Sequence, residues 1–187
     1  MRRLLLLLLL AGCAGRPPPL PADTAFIAQD VALRVPAPSL LRQTVNVAQT
    51  VQADYAGQAM VFEAQIAITP TGLDMVVLDG LGRRAMTIAW HGEQPVADTA
   101  PWLPRTISAA NMLADIALIY WPEALLQPAL AAAGARLETV PGRRSVFAGG
   151  QEILRMESAQ PGWGGRASLR NLAFGYRLDV QSVLLAP

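Results

Sequence analysis

Two blocks of every-second-residue hydrophobicity, separated by one segment of helical period, restrict this chain to a β-sheet protein carrying an inserted helical layer. In Thr44–Tyr55 the residues Val45, Val47 and Val51 share one parity, and Asn46, Thr50 and Gln52 the other. In Met60–Thr69 the alternation is fuller: Met60, Phe62, Ala64, Ile66 and Ile68 against Glu63, Gln65 and Thr69. A strand with one buried face has this period of two. Tyr55-Ala56-Gly57, Pro70-Thr71-Gly72 and Asp79-Gly80-Leu81-Gly82 are turns by composition. They delimit third and fourth strands over Leu73–Asp79 and Arg83–Trp90, so the first block reads as an antiparallel meander.

The middle of the chain changes period. Met112, Ile116 and Ile119 recur at helical spacing from Ile107 to Tyr120, with Leu113 and Tyr120 widening the stripe and Ser108 as N-cap. Trp121-Pro122 breaks this run, and Pro122 begins a second helix over Glu123–Ala133 that Gly134 ends. Both helices are apolar nearly all round, so other parts of the chain must bury them. Strand periodicity returns in Arg136–Val140, Ser145–Ala148 and Gln151–Ser158. A Gly-rich loop follows at 160–165, and Leu172, Phe174, Tyr176, Leu178 and Val180 then share a face opposite Asn171, Arg177, Asp179 and Gln181. Asp23 to Ala37 is mixed and is read as a short helix closed by Pro36 and Pro38. The expected fold is mainly β with α: a curved antiparallel sheet, a half-barrel, whose concave face is covered by a helical lid. A flat sheet would leave such apolar helices partly bare, whereas a curved one wraps them and leaves an apolar pocket between the layers.

The first residues are of another kind. Met-Arg-Arg, a leucine run from Leu4 to Leu10 and Ala11-Gly12-Cys13 give a positive start, a short apolar core and small residues at a cleavage point. The run falls short of the roughly 20 residues that span a bilayer. Leu10-Ala11-Gly12-Cys13 matches the lipobox of bacterial lipoproteins, and that resemblance implies cleavage before Cys13 and acylation of its sulfur and amine. An uncleaved N-terminal anchor is the alternative. The expected division is a signal peptide at 1–12, a lipidated Cys13 with a proline-rich tether at 13–22, and one folded domain at 23–187 with its helical insertion at about 105–134. Pro17, Pro18, Pro19 and Pro21 stiffen the tether. Ala14 follows the cysteine where enterobacterial lipoproteins retained at the inner membrane carry aspartate. The expected location is therefore the periplasmic face of the outer membrane, held by lipid.

The inventory of reactive groups is short. Among 187 residues, 15 arginines and no lysine stand against 14 acids, with no clustered positive footprint for nucleic acid. Cys13 is the one cysteine, so no intrachain disulfide forms, and its lipidation leaves no thiol for catalysis. The one histidine, His91, excludes multi-histidine metal sites and reads as a solvated loop residue. No serine has a Gly-x-Ser-x-Gly setting. The carboxylate pairs Asp74/Asp79 and Glu152/Glu157 lie on opposite parities and do not converge. No catalytic residue, no metal and no cofactor is expected. Arg83-Arg84 and Arg143-Arg144 read either as a solvated rim or as contacts to phosphate or carboxylate head groups.

The lipobox, the early meander, the central helices and the closing stretch Asn171-Leu172-Ala173-Phe174-Gly175-Tyr176-Arg177-Leu178 together resemble the lipoprotein carriers LolA and LolB, LolB above all. Around Asp79–Trp90 and Asn171–Asp179 the chain also resembles a family of lipoproteins found in aryl-polyene biosynthesis clusters. These resemblances cover most of the chain after Pro38. They imply a carrier or acceptor of acyl, lipid or polyene-type chains, with no catalysis. The cavity is expected to be lined by Phe62, Ile66, Met75, Val77, Met86, Ile88 and Trp90, with Met112, Ile116 and Tyr120 as its lid. Methionine suits a pocket that adapts to flexible chains. LolB carries a leucine on a loop between early strands that helps insert cargo into the membrane. Leu81, between Gly80 and Gly82, is its counterpart here, and Trp163, also flanked by glycines, is a second membrane-contact candidate. Each of these residues is alternatively plain core or an ordinary turn residue. The competing function is a structural or assembly lipoprotein that binds a periplasmic protein partner through the sheet edge or the Trp163 loop.

Overall fold

A computed structural model describes residues 20–186. Cys13, the signal segment and most of the proline-rich tether lie outside the described residues. Among the described residues no helix is long and apolar enough to cross a membrane.

The first alternating block forms β3 (Val45–Tyr55), β4 (Gln58–Thr69), β5 (Gly72–Asp79) and β6 (Arg84–Trp90), as the parity and the turns require. The block is preceded by β1 (Thr24–Ala28) and β2 (Val31–Arg34) and followed by β7 (Val96–Thr99). Two helices come next, α1 (Ala109–Tyr120) and α2 (Glu123–Ala132). The second block forms β8 (Ala135–Val140), β9 (Arg143–Ala148), β10 (Gln151–Ser158), β11 (Gly165–Asn171) and β12 (Tyr176–Leu184).

Ten of these strands make one antiparallel sheet in the order β7-β6-β5-β4-β3-β12-β11-β10-β9-β8. Each block is a meander of sequence neighbours, and the two are joined along β3 and β12, from Tyr55 opposite Tyr176 to Val47 opposite Leu184. The sheet is curved and not closed into a barrel, since β7 and β8 remain its edges. Bulges between Val77 and Leu78, and between Glu152 and Leu154, add local twist.

The helices lie as expected. Ser108 Oγ accepts from Asn111 N at 3.2 Å, so α1 has its N-cap. Gly134, at φ 76°, takes the left-handed conformation that turns the chain from α2 into β8. The C-terminal end of α1 is held by Arg144, whose guanidinium donates to Trp121 O at 2.8 Å and to Ile119 O at 3.4 Å. Arg144 is thus a helix-capping residue and not a solvated rim charge. Leu113, Ala114, Ala117, Leu118 and Trp121 on one side of α1, with Leu126 and Leu130 of α2, form a continuous core with Val146, Leu154 and Leu169 of the sheet.

Three readings of the sequence are corrected. Asp23–Ala37 is a β-hairpin packed on the helices, not a helix; Ala25 and Ile27, then Val31, Leu33 and Val35, alternate as buried residues about a turn at Gln29-Asp30. β7 was not expected: it is exposed along its whole length and carries no alternation of burial. The closing stretch is two strands, not one. Asn171 ends β11 buried, and Leu172–Gly175 is a turn in which Phe174 N donates to Asn171 Oδ1 at 2.8 Å. Leu172 and Phe174 therefore sit in the turn, while Tyr176, Leu178 and Val180 keep the cavity-facing parity. Asn171, expected on the polar face, donates instead to Ile27 O at 3.0 Å and fastens the hairpin β1–β2 to the sheet.

Candidate functional site

Between α1 and the β12-β3-β4-β5 part of the sheet lies a cavity of about 570 Å³. That volume falls within the roughly 300–1,000 Å³ usual for small-molecule sites. Strand pairing explains its wall. The rows Leu178–Ala53–Met60, Val180–Val51–Phe62 and Ser182–Gln49–Ala64–Val77 each place cross-strand partners side by side on one face. Ala53 and Ala64 are small, so the helix opposite does not fill the space above them. On α1 the residues Met112, Asp115, Ile116, Ile119 and Tyr120 face this space, while the opposite stripe packs into solid core. The helix is apolar on two sides for two reasons: one face contributes to packing and the other lines a cavity.

Six of the ten expected lining residues are there: Phe62, Met75, Val77, Met112, Ile116 and Tyr120. Ile66, Met86, Ile88 and Trp90 are not among its lining residues. They share the correct face but lie further along the strands and toward β6, where they are sealed in core at 2% exposure or less. Parity identifies the face and carries no information on where along it the helix stands off. The sequence reading also missed Gln49, Val51, Met60, Asp115, Tyr176 and Leu178. Val51, Met60, Tyr176 and Leu178 have the right parity; Gln49 and Asp115 are polar, and apolar periodicity gives no signal for them.

Polar residues interrupt the apolar lining, among them two hydrogen-bonded groups. Tyr120 Oη, Gln49 Nε2 and Ser182 Oγ form a closed triangle with all three distances at 3.0 Å. Burial pushes the Tyr120 phenol up, against its hydrogen bonds to Ser182 and Gln49. The second group is Asp115, half-buried, with its accessible part turned to the cavity. Tyr176 Oη donates to Asp115 Oδ1 at 2.8 Å. Desolvation raises the Asp115 carboxyl to about 7, and that one hydrogen bond only partly opposes it. No arginine or histidine is among the lining residues.

The mouth is edged by Phe26, Tyr55 and Phe174, at 47, 48 and 40% exposure. The Leu81 turn lies at the same end of the sheet as the Ala56-Gly57 and Leu172–Gly175 turns. Leu81 is 80% exposed, because its turn is folded around Asp79, which accepts from Leu81 N at 3.0 Å and Arg83 N at 2.9 Å. Trp163 behaves differently from its expected role as a membrane contact. It is 7% exposed, stacked on Tyr120 with ring centroids 4.4 Å apart, and tilted against Trp121. It supports the cavity wall from behind and is not presented at the surface. His91 is not simply solvated: its Nε2 lies 2.9 Å from Asp74 Oδ1 on the outer face. Among the described residues no group of three or more His, Cys, Asp or Glu side chains is placed to hold a metal ion.

Residues 46–184 match the family described as "Protein of unknown function (DUF3261)". Among solved structures the chain is similar to a DUF1329 family protein from Desulfovibrio piger, at 6% identity, with 78% of this chain and 85% of that chain covered and a TM-score of 0.42. No curated protein matches the chain.

Proposed function

Since the chain belongs to the DUF3261 family of unknown function, and the matched stretch spans β3 through β12 with α1, we propose that this protein binds a hydrophobic, chain-like ligand in the cavity beneath α1. The role is that of a carrier or acceptor, without catalysis. The observation that carries this reading is the apolar cavity itself, open at one end and lined by Val51, Met60, Phe62, Met75, Val77 and Ile116. Flexible methionines on both layers, Met60 and Met75 of the sheet and Met112 of α1, suit an acyl or polyene-type guest of variable shape. The resemblance to LolA and LolB supports the same reading, as does the lipobox. With Cys13 acylated and cut from its leader, the domain would face the periplasm from the outer membrane on a proline-stiffened tether.

The test has two arms. Native mass spectrometry of protein purified from its own envelope is expected to show an added lipid-like mass. Ile116→Trp, which puts bulk into the cavity from α1, is expected to weaken Nile red binding at least tenfold while the circular dichroism of the fold is unchanged. A bare mass together with no Nile red uptake by the wild-type protein refutes the proposal. A second reading, attachment of a protein partner, is favoured by one observation: β7 is a fully exposed edge strand with Val96 turned to solvent. A stoichiometric protein captured through β7, with the cavity empty, would select it.

A further inference from the structure

Two acidic residues, Asp54 and Asp115, line the cavity, and no basic one does. Asp115 projects from the middle of α1 into a mostly apolar space. Asp54 belongs to the opposite parity of β3 from Gln49, Val51 and Ala53; it lines the mouth, in register with Arg177. Around Asp115 itself the neighbours are uncharged: Asn111, Met112 and Ile119 one turn away on its own helix, and Tyr176 on β12, its hydrogen-bond partner.

Several of the polar groups between α1 and the sheet are already paired with one another. Both N–H groups of Gln49 are used, one on Tyr120 and one on Ser182. The Tyr176 hydroxyl is committed to Asp115 Oδ1. No buried side-chain nitrogen or oxygen among the described residues lacks a partner. Asp115, whose Oδ1 accepts from Tyr176, keeps acceptor capacity turned to the cavity. A phosphate or carboxylate brought into this space would meet a carboxyl group and no cation, in surroundings that screen charge poorly. A head that donates hydrogen bonds would meet an acceptor already oriented by Tyr176.

Resting on the proposed binding of a chain-like guest, we infer that the cavity selects amphiphiles whose buried head is a hydrogen-bond donor without negative charge, an amine above all and a hydroxyl next, and rejects acidic heads. Asp115 reads the head from α1 and Tyr176 holds its carboxyl from β12. The apolar tail then lies over Met60 and Phe62 of β4 and Met75 and Val77 of β5.

Displacement of Nile red by dodecylamine, dodecanol, dodecanoate and dodecyl phosphate, each below its micelle concentration at pH 8, tests this. The expected order is amine, then alcohol, then the two anions, with at least tenfold between amine and carboxylate. Asp115→Asn is expected to lower dodecylamine affinity about tenfold more than it changes dodecanol affinity. Tyr176→Phe, which keeps the carboxyl, is expected to retain the preference for amine over carboxylate, and it carries the test should Asp115→Asn fail to fold. Equal binding of all four amphiphiles, anions bound best, or an amine preference unaltered in Asp115→Asn overturns the inference and leaves the proposed function standing. Binding of none of the four, with no Nile red uptake, removes both.

Discussion

Replacing Asp115 with asparagine is expected to stabilise the protein at alkaline pH and to change it little in acid. The side chains are nearly isosteric, and Tyr176 Oη can donate to an amide oxygen as it does to Asp115 Oδ1, now at 2.8 Å. The difference lies in the proton. Desolvation moves the folded carboxyl from its ordinary 3.8 to about 7. Between those two values the folded state holds a proton that the unfolded chain has released. Stability therefore falls as pH rises through that window; it is fully present below the unfolded value and lost once the folded carboxyl ionises. The slope is about 1.4 kcal/mol per pH unit, so the window is worth about 4 kcal/mol as a ceiling. Water entering the cavity mouth lowers that figure. The Tyr176 phenol is itself pushed above its ordinary range, first by burial and then by Asp115, and stays protonated throughout. Urea denaturation of both proteins from pH 4 to pH 8 measures the difference, and taking the difference cancels the ionisations that the two proteins share. The variant should match wild type near pH 4 and exceed it by about 2–4 kcal/mol at pH 8. In a melting experiment this is a rise of roughly 2–4 °C per kcal/mol. A difference that does not vary with pH, or a variant less stable at pH 8, would refute the reasoning.

Arg144→Ala removes the cation that caps α1 at Trp121 O, and is expected to cost about 2 kcal/mol in denaturant titrations, within the range for hydrogen bonds to charged groups. Trp163→Ala deletes a buried ring stacked on Tyr120, with an expected loss of about 3 kcal/mol by the same assay; a loss below 1 kcal/mol would mean the ring is not packed as described. Leu81→Asp, at a site 80% exposed, is expected to alter stability by no more than about 0.5 kcal/mol. If Leu81 touches lipid, the same substitution in unlipidated Cys13→Ser protein weakens flotation with phospholipid vesicles about tenfold, as the burial of one leucine suggests.

Much of the architecture was legible because it is local. The alternation in Met60–Thr69 names the buried face of β4, Ser108 names the start of α1, and Gly134 names the end of α2, each through a preference of a few neighbouring residues. The hairpin β1–β2 was legible too, in the alternation about Gln29-Asp30, but its residues are neutral enough between helix and strand to be misread. β7 had no such signal, since a strand with neither face buried leaves no period. Where a polar residue serves a buried purpose, as with Asn171 fastening Ile27 or Arg144 capping Trp121, composition points toward solvent and the structure points inward.

The sequence by itself determined which residues of β3 to β6 share a face, where that meander turns, and that two apolar helices must be covered. Only the tertiary structure decided that β3 pairs with β12, that Trp163 folds behind Tyr120, and that the space opens over Val51 and Phe62 while Ile66 and Trp90 are sealed. The physical reason is range. Periodicity arises from backbone geometry within a few residues, whereas the depth of a cavity depends on where a helix, more than forty positions away in the chain from Phe62, stands off from the sheet.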